Sequence, residues 1–231
     1  MEKSYDIWWQ KGQETDDDMA KDHQQSWERT ISLLNKQDIE DKVILDFGCN
    51  QGGFLRALYH KFHFQEGVGI DLAKKSLQKA ESLKGDLPLS YVLSDKPEQT
   101  GKHFDTAIST SVLYLIEDIE QHAKDLKAVL KPQGVYYATF ADHSSNPSRD
   151  YIAQVINEYG ATPSQNHTLK YIVDSFVNQG YDVAVIKEPV PEIIDLTHYS
   201  DFYLSPNDYL RTLFDESFLI KATLKEGSAY E

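Results

Sequence analysis

Thiol chemistry is almost absent from this sequence. Its 231 residues include one cysteine, Cys49, so no disulfide can form within the chain and no cysteine zinc site can be built. The eight histidines show no pair at metal-ligand spacing beside a carboxylate cluster, so no metal site is expected. Positive charge is also scarce. Lys and Arg number 23 against 37 Asp and Glu, a formal net charge of −14. Such a body repels phosphate backbones and anionic bilayers, which disfavours nucleic-acid and membrane partners. No uninterrupted apolar run approaches the ~20 residues needed to cross a bilayer. The opening Met1-Glu2-Lys3-Ser4-Tyr5-Asp6 lacks the apolar core of a signal peptide. The expectation is a soluble, cytoplasmic protein; oligomeric state is not legible.

What is present is globular. Hydrophobic residues make up 40%, enough for one large domain, or one with an appended lid. Residues 22–36 read as a helix, with Trp27, Ile31 and Leu34 on one face. Short apolar runs then alternate with helical segments. Strands are predicted at 42–47, 67–72, 87–93, 104–112, 135–140, 181–187 and 218–224. Helices are predicted at 54–62, 73–84, 116–130, 151–159, 169–178 and 208–214. Lys131-Pro132-Gln133-Gly134 reads as a turn. This alternation implies βαβ units and a parallel sheet covered on both faces.

The chemistry concentrates at the end of the first strand. A strand, a glycine-rich turn and a helix start make a concave cradle of backbone N–H groups. Gly48, Gly52 and Gly53 let a ligand approach it. A dinucleotide site wants Gly-x-Gly-x-x-Gly around a pyrophosphate. Here the middle position is Asn50, and Asp46 just ahead would repel a pyrophosphate but attract an ammonium group. Asp71, 25 positions after Asp46, ends the second strand, where a carboxylate can accept from ribose hydroxyls. Asp95, beside Ser94 and Lys96, ends the third and could face an adenine amino group; the alternative is a helix N-cap before Lys96-Pro97. A ligand with a cationic amino-acid head and a ribose fits these groups, and S-adenosylmethionine is such a ligand.

Four motifs carry a resemblance: Ile44-Leu45-Asp46-Phe47-Gly48-Cys49-Asn50-Gln51-Gly52-Gly53, Gly67-Val68-Gly69-Ile70-Asp71, the run from Phe104 to Asp118, and Leu130-Lys131-Pro132-Gln133-Gly134-Val135-Tyr136. In order and spacing they resemble class I S-adenosylmethionine-dependent methyltransferases, in the group of methyltransferase types 11, 12 and 25. The resemblance covers roughly residues 40–142. It implies a three-layer Rossmann-like fold with seven mostly parallel strands, an antiparallel last strand and an N-terminal helical lid. Residues 1–40 would be the lid, and 41–231 the cofactor-binding domain with insertions at 143–165 and 189–216. It further implies that Asp46 orients the loop and the ligand's amino group, and that Gly48, Cys49, Asn50 and Gly52 line the methionine end. Asp71 and Leu72 would hold the ribose and one adenine face, Ser94 and Asp95 would flank adenine, and Ser109, Thr110 and Ser111 would close the methionine side. Asn50 departs from the family's usual glycine, although asparagine visits positive φ more readily than most residues.

The other candidates have two readings each. Cys49 reads as a packed residue whose backbone makes the contact. Asp16-Asp17-Asp18 reads as a solvated run or a helix start. Trp8 and Trp9 read as core anchors of the first helix or as a lid. Tyr114, Asp142 and His143 follow the fourth and fifth strands and read as substrate contacts or exposed loop residues. With His198 they are the candidate general bases, none preferred. The expected reaction is in-line methyl transfer to a small molecule. The alternatives are a protein or RNA methyltransferase, a non-catalytic cofactor-binding module and, disfavoured by Asn50 and Asp46, a nicotinamide oxidoreductase.

Overall fold

Short apolar runs without polar alternation become strands buried on both faces. In the computed structural model, which describes residues 5–187 and 189–227, seven such strands share one sheet. They are β1 Val43–Phe47, β2 Glu66–Asp71, β3 Leu89–Leu93, β4 Phe104–Ser109, β5 Leu130–Ala141, β6 Tyr181–Lys187 and β7 Ser217–Leu224. Their order is β3-β2-β1-β4-β5-β7-β6. β7 lies antiparallel between β5 and β6, and the remaining pairs are parallel. This is the expected Rossmann-like sheet, and its single reversed strand is the last one in sequence.

Among the described residues there are eight α-helices, in chain order α1 Asp16–Asp22, α2 Gln24–Leu33, α3 Gly53–Lys61, α4 Lys74–Leu83, α5 Ile119–Val129, α6 Arg149–Tyr159, α7 Leu169–Asn178 and α8 Pro206–Arg211. Successive strand residues point to opposite faces, so the core has two halves. Leu45, Tyr136 and Ile220 pack with Ile172 and Phe176 of α7. Their neighbours Ile44, Tyr137 and Leu219 pack with Leu55 and Leu58 of α3 on the other side. Strand order reverses between β1 and β4. At such a switch point the connections leave in opposite directions and open a crevice at the carboxyl ends of the strands.

Four local readings are corrected. Residues 131–134 are not a separate turn but a bulge inside β5. Leu130 pairs with Phe104, the ladder resumes at Val135 with Thr106, and Gln133 takes φ +61°; Pro132 has no N–H for a continuous ladder. The fourth strand ends at Ser109, not Val112, because Ser111 turns at φ +58°. The helix expected at 208–214 starts earlier, at Pro206 behind a Ser205 cap, and widens into a π-turn, Thr212–Glu216. Trp8 and Trp9 precede the first helix in an extended segment that leads into a small hairpin, Gln10–Lys11 with Glu14–Thr15. The first four residues of the expected cap lie outside the described residues.

The two expected insertions meet over the sheet's carboxyl edge. Asn146 Nδ2 donates to Asp208 O, Thr212 Oγ1 and Glu216 Oε2, and Ser148 Oγ donates to Asp208 Oδ2 at 2.6 Å. This buried network ties the start of α6 to α8.

Candidate functional site

Residues 47–53 curl over the end of β2, and left-handed backbone makes that possible. Gly48 (φ +79°) and Asn50 (φ +45°) both adopt it. Asparagine thus occupies a left-handed position in the loop, a conformation it tolerates. A Cβ on Gly48 would stand 2.5 Å from Val112 Cγ2. The amides of Gly48 and Cys49 donate to Ile70 O at 2.8 and 3.0 Å. Asn50 N donates to Asp71 Oδ2, and Ala73 N to Asp71 Oδ1, both at 2.8 Å. Asp71 therefore shapes the loop, and each of its oxygens keeps a lone pair for a further donor.

Asp46 is in a different situation. Its side chain is 1% exposed and neither carboxylate oxygen has a partner. Burial, and then the nearby Asp71 charge, push its pKa up to about 8. Burial raises Asp71 as well, against the bonds from Ala73 and Asn50. A buried carboxylate without a partner is costly, and a second carboxylate beside it makes a local demand for positive charge.

A cavity of about 360 Å³ opens beside these groups. Asp46, Gly48, Cys49, Asn50, Asp71 and Leu72 line it, as do Ser94, Asp95, Thr110 and Ser111. Two sequence candidates stand outside. Ser109 is fully buried within β4. Gly52 caps α3 at φ +66° against Tyr91, whose hydroxyl would lie 2.3 Å from a Cβ there. The Cys49 side chain packs against Gly69 of β2. Asp95 is not a cap: the short turn Pro97–Thr100 begins behind Lys96, with no side-chain bond.

A second cavity, of about 630 Å³, adjoins the first and shares Trp8, His23, Ser111 and Tyr114 with it. Trp9 and His143 also line this second space. Asp142 does not; its carboxylate accepts from Ser144 N and Leu169 N, which outweigh its partial burial and hold its pKa low. His198 is exposed, 3.9 Å from Asp201. Burial pushes His143 below the ordinary histidine range, against Glu216 and Asp142, and its Nε2 is buried without a partner. Burial also raises the Tyr114 phenol well above its usual range.

Sequence reasoning missed the groups that strap the N-terminal segment across both cavities. Tyr5 N donates to Leu72 O at 3.0 Å and Lys74 N to Tyr5 O at 2.7 Å. Ala161 N donates to Trp8 O at 2.9 Å. Asp16, 1% exposed, accepts from Trp8 N, Trp9 N and Ser76 Oγ. It opens α1 as a helix start, but it is no solvated charge. A run of three aspartates gives no sign that one is buried. Trp8 and Trp9 stack with centroids 5.5 Å apart, and Trp9 meets Tyr159 edge-on at 5.6 Å. Asp16→Ala leaves buried amides unpaired and should destabilise the protein by roughly 2–3 kcal/mol. Limited proteolysis should then cut within residues 5–22 first; a cleavage pattern like the parent's would mean that Asp16 does not hold the strap.

Among the described residues, no group of three or more His, Cys, Asp or Glu is placed to hold a metal ion. No helix among them is long and apolar enough to cross a membrane.

Residues 45–136 match the family model described as a methyltransferase domain. The chain is 33% identical over 137 residues to the tRNA U34 carboxymethyltransferase of Ruthia magnifica subsp. Calyptogena magnifica, covering 54% of this chain and 42% of that protein. It spans less than half the length of the curated relatives it matches. In fold it is similar to a chain in the complex of the Haloferax volcanii Trm112 methyltransferase activator with a putative methyltransferase (TM-score 0.74, 16% identity, 91% and 96% of the two chains). It is also similar to a putative S-adenosylmethionine-dependent methyltransferase from Listeria monocytogenes (TM-score 0.66, 17% identity, 90% and 99%).

Proposed function

We propose that this chain, a class I methyltransferase by its sheet and by the family match over residues 45–136, binds S-adenosylmethionine in the first cavity and methylates a small molecule held in the second. The observation that carries the reading is Asp46, buried with two unpartnered oxygens on a cavity wall. Asp46 would hold the ammonium group, Asp71 the ribose hydroxyls and Leu72 one adenine face. Asp95 and Ser94 would flank the adenine edge. Gly48, Cys49, Asn50, Thr110 and Ser111 would line the methionine end.

When bound, the cofactor supplies a methyl carbon on a positively charged sulfur, so the acceptor's lone pair forms the new bond as the carbon–sulfur bond breaks and a neutral thioether leaves. The chain's own task is alignment and exclusion of water. Residues 5–40 act as the lid, and Trp8, Ser111 and Tyr114 form the wall common to both cavities. Where the acceptor starts protonated, a base must take its proton. His143 is suited to that: its ring is neutral near pH 7 and its Nε2 is unpartnered. Tyr114, with a phenol raised by burial, serves as a hydrogen-bond donor.

The tRNA-acting relative favours an RNA acceptor as second reading. A net charge of −14 weighs against it.

The three tryptophans, Trp8, Trp9 and Trp27, all line one or both cavities. Adding S-adenosylhomocysteine should therefore change intrinsic tryptophan emission in a saturable way. Calorimetry should give heat with S-adenosylhomocysteine and none with NADH. NADH binding without S-adenosylhomocysteine binding would overturn the proposal. Binding without turnover across a panel of small acceptors and tRNA would reduce the chain to a cofactor-binding module.

A further inference from the structure

Two arginines that line the second cavity have no ion-pair partner among the described residues. Arg149, first residue of α6, lines it half-buried; its Nε is shielded from solvent and has no hydrogen-bond partner. Arg29 of α2 faces the same space. Among the described residues neither arginine forms an ion pair, in a protein with 37 carboxylate side chains. Three acids, Glu14, Asp18 and Asp201, line the same cavity without pairing with either arginine. Asp201 pairs with Lys11 at 3.5 Å and Asp18 with Lys21 at 3.2 Å. Glu216, behind the wall, pairs with Arg211 at 2.8 Å. Glu14 is exposed. A half-buried guanidinium without an ion-pair partner is suited to bind a carboxylate through parallel N–H donors.

Part of the lining is apolar and flat-sided, among polar groups that include Gln165, Asn166 and His167. Phe140, Phe202, Tyr203 and Phe218 contribute rings, and Ile152 and Ile156 of α6 contribute aliphatic surface. The Tyr203 ring stands 5.2 Å from Tyr209 and 6.3 Å from His143. Such walls favour a planar apolar body. Arg149 lines only the second cavity, not the shared wall at Trp8, Ser111 and Tyr114. The anionic group it holds is therefore a handle, with the accepting atom at the acceptor's other end.

We propose that the methyl acceptor is a small planar organic acid, its carboxylate held by Arg149 with support from Arg29 and its ring seated among Phe140, Phe202 and Tyr203. This rests on the methyltransferase reading above, and deepens it. The test uses the full chain saturated with S-adenosylhomocysteine, with 4-hydroxycinnamate and the uncharged 4-hydroxycinnamamide as probes of matched shape. By calorimetry, the acid should bind at least about tenfold more tightly than the amide. Arg149→Gln should erase that preference while S-adenosylhomocysteine affinity stays within twofold of the parent. Arg149→Lys, which keeps the charge, should retain part of the preference and covers the case in which the glutamine variant does not fold. Equal binding of acid and amide by the parent, binding of neither, or a preference that survives Arg149→Gln would each overturn the acid handle. Failure of the parent to bind S-adenosylhomocysteine would instead overturn the cofactor assignment, so the two failures are distinguishable.

Discussion

Asp46→Asn should raise the melting temperature of the ligand-free protein and at the same time abolish most of its affinity for S-adenosylmethionine. The two effects share one cause. A carboxylate whose pKa is raised to about 8 in the folded protein binds its proton more tightly there than in the unfolded chain. Its favourable contribution is complete below the unfolded value near 4 and is lost as pH rises through about 8. The parent should therefore lose stability relative to Asp46→Asn across that window, by roughly 2–4 kcal/mol at pH 8. Thermal melts of both proteins from pH 5 to 8.5 check this, and parallel pH profiles would reject it.

Binding follows the same linkage with the opposite benefit. An ammonium group selects ionised Asp46, so association below pH 8 releases a proton, and affinity should rise with pH by up to about tenfold per unit. Near pH 8 the ligand's own amino group begins to lose its proton, so affinity should peak there. Calorimetry at pH 7 in buffers of different ionisation enthalpy should find close to one proton released by the parent and none by Asp46→Asn. The variant should lose about 100-fold or more in affinity, as expected when a buried charge-assisted bond is removed.

Asp71→Ala should also cost about 100-fold or more in affinity, but with the opposite sign on stability. Asp71 accepts from Asn50 N and Ala73 N, so its removal unpins the loop and leaves both amides unpaired. The ligand-free protein should melt lower, by roughly 1–3 kcal/mol. Asp71→Asn, which keeps one acceptor oxygen, should recover part of the stability and little of the affinity, because an amide cannot receive two hydroxyl donors as a carboxylate can. Retention of full affinity by Asp71→Ala would remove the ribose assignment. Together the two aspartates give a diagnostic pair: both variants weaken binding, one raises the melting temperature and the other lowers it.

The lining of the first cavity was largely legible because its information is local. A run such as Val43-Ile44-Leu45 is buried whatever surrounds it, and the turn after it must hold left-handed residues. Asp46, Asn50 and Asp71 announce a strand-end site by residue type and spacing alone. Even there, alternation along a strand was easy to overlook. Ser109, inside β4, does not reach the cavity that Thr110 and Ser111 line. The lining of the second cavity was much less legible. His143 and Trp8 were candidates, but Arg149 carried no signal, since in sequence an arginine at a helix start resembles any surface residue. Asp16 was hidden in the same way.

The sequence by itself determined the sheet, the glycine-rich cradle and the pair of carboxylates at its edge, because hydrophobic period and turn chemistry act over a few residues. Only the tertiary structure decided which charges lose water. Burial of Asp46 without a partner and the bond from Ser76 to the buried Asp16 bring together segments tens of residues apart. Desolvation, unlike propensity, is a property of everything packed around a group.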